Sequence, residues 1–412
     1  MGKTSHLALA AVLSLAAAAH AAGQAEAGDP FDAGAFAAAT SSSPNASTSA
    51  ARTEYLAGGE VLVSASASFP SDFGGSASSS LASGKLFAKA TVPDSGSLYA
   101  AYGITQAFFE ALSGDGAAAL APGLDLAAPS LVPTELYYSF DVDKLLFLRL
   151  GKQLLAWGPS KVWSPVDFVN GQRSNFFASV DLRQGESGLK LLLPIGKANA
   201  TVFADFSGLG ASELAGAAGF RATRVAGRLD AAVGGFELGL SGLVAPEAQD
   251  RAGFDFSGDL WGAAVYCELA FAPAYSSYSP SAAASLGLSR ALDDLKRWTL
   301  SAEGFYESTG ADRSGDVLAM ASLTPLYMGR YYGYASLRAD ELLSRYLTTT
   351  WSGLANFSDL SYTASLREDF SFPRSPVFSL IVSYSGGGAG KEFTFLGGDG
   401  ALSLSAQTLI EF

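Results

Sequence analysis

Residues 401–412 read Ala-Leu-Ser-Leu-Ser-Ala-Gln-Thr-Leu-Ile-Glu-Phe. In an extended chain successive side chains point to opposite faces. Leu402, Leu404, Ala406, Thr408, Ile410 and Phe412 therefore share one face, and Ser403, Ser405, Gln407 and Glu411 lie on the other. The period of two predicts a strand with one greasy and one largely polar side. The same rhythm is clear in Thr134–Val142, where Leu136, Tyr138, Phe140 and Val142 alternate with Glu135, Tyr137, Ser139 and Asp141. Asp143 turns the chain into Lys144–Gln153, where Leu146, Leu148 and Leu150 oppose Arg149, Gly151 and Gln153. The two segments form one amphipathic hairpin.

Comparable segments run the length of the chain. Glu60–Ser68 alternates, and Lys85–Thr91 joins Ser97–Ile104 through Pro93-Asp94-Ser95-Gly96. Further strands are expected near Glu186–Ile195, Ala198–Phe206, Gly216–Arg221, Arg224–Val233, Gly235–Val244, Leu260–Phe271, Arg297–Glu307 and Tyr331–Asp340. Others follow at Arg345–Leu354, Leu360–Asp369, Pro376–Tyr384 and Lys391–Phe395. Gln106–Pro133 and Ala272–Ala291 are expected to be long loops or short helices, the former with helical apolar spacing around Phe108–Leu112. The expected fold is all-β, an antiparallel transmembrane barrel of about 16 strands, with 14 to 18 compatible with the pattern. Mean hydropathy is +0.22 without any long unbroken apolar run beyond the N-terminus, so the apolar content is spread by alternation. In hydrocarbon only helices or a sheet without edges can cross, and this sequence offers no spanning helix.

Residues 1–21 have the form of a secretory signal: Lys3, an apolar run Leu7–Ala19, and small residues at Ala19-His20-Ala21. The apolar run is shorter than the roughly 20 residues of a membrane anchor. Residues 22–59, rich in Ala, Ser, Thr and Gly, are expected to be a low-complexity periplasmic lead, and residues 60–412 the barrel. Cleavage would remove Lys3, His6 and His20, leaving 25 basic against 39 acidic side chains and a formal charge of −14. Without histidine and with Cys267 as the sole thiol, the mature chain has no Ser-His or Cys-His nucleophile, no histidine zinc site and no disulfide. Lipid attachment at a cleavage-site cysteine is excluded for the same reason. No enzyme activity, metal or cofactor is expected. The acidic excess argues against nucleic acid as a partner.

The uniformly apolar face of each strand should meet lipid, since Lys or Arg there costs roughly 2–4 kcal/mol at mid-bilayer. The alternates Glu135, Asp141, Arg149, Arg228, Glu237, Glu303, Arg338 and Arg367 are then assigned to the lumen, and Cys267, on the run Trp261 to Phe271, to the lipid side. After Trp157-Gly158-Pro159, which must end a strand, residues 157–185 form a long connection. It holds Trp163, Phe168, Phe176 and Phe177 among charged and amide side chains.

The stretch Leu148–Asn170 resembles a pattern of porin-like outer-membrane proteins, carried here by Gly151, Lys152, Gln153, Trp157, Gly158, Pro165 and Asp167, with Ser164 where the pattern often has Asn. The aromatic C-terminal strand also looks like the closing strand of bacterial outer-membrane barrels. The resemblance implies a channel for passive diffusion of small solutes, seated in the outer membrane of a diderm bacterium. In proteins of that kind a segment such as 157–185 can fold inward and narrow the pore, which would make Lys161, Asp167 and Arg173 constriction residues, the alternative being a loop packed over the rim. Arg149, Arg228, Glu303, Arg338 and Arg367, from the strand faces, are the pore-lining candidates. Implied partners are outer-membrane lipid, the barrel-assembly machinery through the last strand, a small solute and, by association, two further copies in a homotrimer. The alternative is a ligand-specific transporter or adhesin acting through its loops.

Overall fold

A computed structural model describes residues 53–412 apart from 72–74, 115–127, 171–179, 209–222, 247, 277, 313–326, 374–375 and 395–398. The first half of the wall comprises β1 (Glu54–Pro70), β2 (Gly75–Val92), β3 (Gly96–Gly114), β4 (Ser130–Val142), β5 (Leu146–Gln153), β6 (Glu186–Ile195), β7 (Ala198–Asp205), β8 (Arg224–Val233) and β9 (Phe236–Val244). The second half comprises β10 (Arg251–Leu260), β11 (Ala263–Ala272), β12 (Ser281–Ala291), β13 (Trp298–Glu307), β14 (Tyr331–Asp340), β15 (Leu347–Asn356), β16 (Ser361–Ser371), β17 (Val377–Gly386) and β18 (Gly400–Glu411). Each strand pairs antiparallel with its sequence neighbours, and β1 pairs with β18 from Glu60↔Glu411 to Pro70↔Ala401. The sheet is therefore closed and has no free edge along this seam.

The wall has 18 strands rather than about 16. β10 and β12 were absent from the sequence expectation, where Ala272–Ala291 was read as a loop. β10 alternates plainly, Phe254, Phe256 and Leu260 outward against Asp255, Ser257 and Asp259, whereas the first half of β12, Ser281–Ser285, holds only Ser and Ala and gives little contrast between faces. The wall also begins at Glu54, not Glu60, and β3 carries strand pairing through Phe108–Leu112 in place of the helix that spacing suggested. Lys391–Phe395 is not a strand: Glu392–Thr394 forms one 3-10 turn. The expected strand Gly216–Arg221 and the leader 1–52 lie outside the described residues.

The two ends of the cylinder differ. One end has tight turns made where the backbone enters positive φ: Asp143 and Lys144 at 51° and 56°, Gly234 and Gly235 at 61° and 86°, Trp261 and Gly262 at 54° and 76°. Such turns match the right-handed twist of the flanking strands. Both chain ends of the described wall meet there, Gly59 N–H donating to Phe412 O and Phe412 N–H to Gly59 O. The other end carries the long connections, including 154–185 between β5 and β6.

Outward positions are apolar and exposed, among them Leu150, Leu240, Leu286, Leu380 and Leu404. Stacked Trp298 and Trp351 lie toward the short-turn end, and the pairs Tyr306–Tyr331 and Tyr362–Tyr384 toward the long-connection end. Rings at both rims with aliphatic residues between them suit the two interfaces and the core of a bilayer. The packed hydrophobic clusters, by contrast, lie inside the cylinder.

Leu404 faces outward midway along β18, and its neighbour Ser405 faces inward. Leu404→Arg should lower folding stability in phospholipid vesicles by roughly 2–4 kcal/mol in a denaturant titration, with a much smaller change for Ser405→Arg. Equal, small effects from the two would contradict the assigned faces.

Candidate functional site

The segment after β5 does not arch over the rim. From Gln153 it passes into the lumen and reaches the inner faces of β11, β12, β13 and β14. β13 is eight strands from β5 in an 18-strand ring, nearly the opposite wall. The crossing chain has no ladder partner, so each of its backbone N–H groups needs an acceptor elsewhere.

Glu135 accepts from Leu154 N at 3.2 Å and Asp167 N and Phe168 N bond within the segment, while two further inward carboxylates take five amides between Ser160 and Val166. Glu303 on β13 accepts from Lys161 N at 3.1 Å, Val162 N at 3.2 Å and Trp163 N at 2.9 Å, and also from the Tyr266 hydroxyl at 3.0 Å. Glu268 on β11 accepts from Ser160 N at 2.8 Å through Oε1 and from Val166 N at 3.1 Å through Oε2. The Ser160 and Ser285 hydroxyls add a 2.6 Å contact. At Gly158, where φ is +92°, any Cβ would collide with the Glu268 carboxylate, so the residue must be glycine for the chain to approach so closely.

Apolar packing fixes the rest. Trp163 is buried and stacks on Phe305 at 5.4 Å and 7°, with Tyr327 and Tyr332 set against it at 5.7 and 5.9 Å. Leu155, Trp157, Val166, Phe168 and Val169 pack with Phe203, Ala226 and Leu243 on the near wall. A second inward element, around Glu392, braces the same cluster. Glu392 accepts from Tyr327 N at 3.1 Å, from Asn356 Nδ2 at 2.7 Å and from the Tyr332 hydroxyl, while Glu392 N donates to Asp359 Oδ2 at 2.8 Å.

The site residues expected from sequence are distributed as follows. Lys161 is exposed at the docked segment, its Nζ 5.9 Å from the Tyr266 ring centre. Arg149 is buried over the Tyr137 ring at 4.1 Å and donates to Ser139 Oγ. Arg228 binds Asp255 through both terminal nitrogens, at 2.7 and 2.9 Å, and Asp230 through Nε at 2.7 Å. Arg338 pairs with Asp340 at 2.9 Å, and Arg367 with Asp369 at 2.8 Å. Glu303 and Lys161 are thus brought together, the four arginines are spread along β5, β8, β14 and β16, and Arg173 lies outside the described residues. Glu135, Asp141 and Glu237 also occupy inward register positions, and Cys267 an outward one.

Motif residues Gly151 to Asp167 make the hinge and body of the inward segment. Gly151 has φ +128° and no room for a Cβ beside Leu136 O, Lys152 points outward to Pro133 O and Gln184, and Gln153 and Trp157 are buried. Pro165 lies between the Glu303 and Glu268 anchors in sequence. Glu268, Asp255 and Tyr266 were not singled out from sequence. The available signal was a carboxylate at the inward phase of an otherwise apolar strand, Val265 to Phe271.

Asp167 lies in the inward segment, held by Asn170 Nδ2 at 3.0 and 3.1 Å and by Arg183 at 3.7 Å. Burial pushes its carboxyl up to about 7, with Asn170 and Arg183 opposing the shift. A folded value above the unfolded one of 3.8 means the docked segment holds the proton more tightly. The associated stability is present at acid pH and is lost as pH rises through about 7.

Two outcomes are expected. Glu303→Ala leaves several buried N–H groups without an acceptor, each costing about 1–3 kcal/mol. Limited proteolysis near residue 163 should accelerate and Trp163 emission should shift to the red, with Glu303→Gln intermediate; unchanged proteolysis would show that Glu303 is not an anchor. Proteolysis of the wild-type segment should also quicken between pH 6 and 8, a dependence that Asp167→Asn should flatten.

No family model and no curated protein matches the chain. Solved structures similar in shape include a BenF-like porin from Pseudomonas fluorescens, with a TM-score of 0.55 at 12% identity over 87% of this chain and 98% of that one. Acinetobacter baumannii OccAB4 gives 0.55 at 10% identity, covering 88% and 99%, and Pseudomonas aeruginosa OccK5 gives 0.52 at 10%, covering 87% and 98%. At these identities the likeness concerns architecture: the chain has the closed barrel fold of outer-membrane porins.

Proposed function

We infer that the protein is an outer-membrane channel for passive diffusion of small solutes, narrowed by its own inward segment. The observation that carries this reading is the attachment of residues 160–166 to Glu268 and Glu303, which lays the segment across the lumen and narrows it, forming the proposed eyelet. The apolar outer band of the wall supports it, as do the expected export leader 1–21 and low-complexity lead.

Selectivity in such an eyelet follows from the charges lining it. Arg228, Arg338 and Arg367 are each neutralised by an aspartate two residues further along the same strand face. Lys161 has no carboxylate partner among the described residues and sits at the docked segment itself. Lys161 therefore sets a weak preference for anions.

Purified protein in planar bilayers should conduct ions, and deletion of residues 157–185 should raise the unitary conductance severalfold. In a salt gradient Lys161→Glu should move the reversal potential toward cation preference. Absence of conductance from correctly folded protein would refute the channel. Conductance unaffected by the deletion would refute the eyelet.

A further inference from the structure

A cavity of about 380 Å³ lies inside the cylinder on the long-connection side, between Pro165 and Phe168 of the inward segment and the inner faces of β10–β13. A solute entering from that end meets it before the eyelet. The floor is made of small residues at matched register, Ala272 opposite Ser281 and Ala270 opposite Ala283. The cavity exists because these positions carry so little side chain.

Its flanks carry opposite charges. Arg251 begins β10 and Glu307 ends β13, three strand spacings apart, about 14 Å at the usual 4.7–4.9 Å per strand. The lining thus has one guanidinium and one carboxylate. With one group of each sign the lining has no net charge to favour an ion, and a neutral solute with donors and acceptors spread around it suits such a lining.

The polar groups of the rim are also oriented in advance. Gln249 Nε2 donates to Pro273 O at 3.0 Å and Ser279 O at 2.8 Å, which commits both amide hydrogens and leaves Oε1 as that side chain's acceptor. Glu307 Oε1 is held by the Thr309 hydroxyl at 2.9 Å. Pro165 and the largely exposed ring of Tyr278 add apolar surface to the same lining. A pocket of a few hundred Å³ that combines an apolar face with a few fixed polar groups is the usual form of a small-molecule site. A sugar ring matches both halves, with C–H faces for the aromatic side and hydroxyls around its edge.

We propose that this cavity binds a neutral, polyhydroxylated ring solute of one or two pyranose units. This deepens the channel reading and rests on it for its biological sense, but binding itself requires no ion flow.

The test is calorimetric titration of the full chain in detergent with maltose as the probe, and with arginine and sodium benzoate as charged comparators. Saturable binding of maltose, with neither comparator binding as tightly, is the expected result. Gln249→Ala removes one acceptor and should weaken maltose binding about three- to tenfold. Ala283→Phe fills the floor and should abolish it, provided the variant still runs as a folded barrel in gel electrophoresis without heating. No maltose heat, tighter binding of either comparator, or a maltose affinity unchanged by both substitutions overturns the proposal. Bilayer conductance separates the two readings: binding without conductance sinks the channel and spares the site, while conductance without binding does the reverse.

Discussion

Every backbone amide in this molecule that is removed from water must find a partner, and both levels of the structure answer to that requirement. In the wall the answer is closure: β1 pairs with β18 over a continuous register, so the sheet has no edge to expose along the seam. In the lumen the crossing segment has no strand beside it, and the answer is a pair of carboxylates. Glu303 gathers three successive N–H groups, and Glu268 takes two from positions on either side of them. A carboxylate suits this duty because it accepts only, offers several lone-pair directions, and makes stronger hydrogen bonds than a neutral acceptor. The eyelet is thus held by the same physics that holds the cylinder, with side chains standing in for a missing strand.

Much of the wall was legible in the sequence because hydrocarbon enforces a period of two. Thr134–Val142 and Lys144–Gln153 could be assigned face by face, and the structure places Glu135, Arg149, Arg228 and Glu303 on the inner side as that reading required. The count fell short at β10 and β12. Ser281–Ser285 at the start of β12 holds only Ser and Ala, so its two faces differ little, whereas β10, with Phe254, Phe256 and Leu260 outward, alternates legibly. At Phe108–Leu112 a helical spacing gave way to pairing with β2, since an apolar run too short for a full amphipathic helix takes its conformation from its neighbours.

The inward segment was legible only in outline. Its aromatics and its Trp157-Gly158-Pro159 break announced a packed connection, but its anchors lie more than a hundred residues away, on β11 and β13. No local pattern marks a carboxylate as an acceptor for a distant loop. The lumen arginines show the same limit in milder form. Arg228, Arg338 and Arg367 were recognised as inward, while the neutralising aspartates at 230, 340 and 369 were not read with them. At two residues' separation on a strand, the pair shares a face and the charge largely cancels.

The joining of Gly59 to Phe412 bears on how the molecule comes into being. The seam joins β1 to β18, strands that lie 335 residues apart in the chain at Ser68 and Ser403, so it can close only once both have been made. Until β18 arrives, the edge of β1 that it will cover stands unpaired and open to other chains, so the polypeptide must be shielded from aggregation while that partner is awaited.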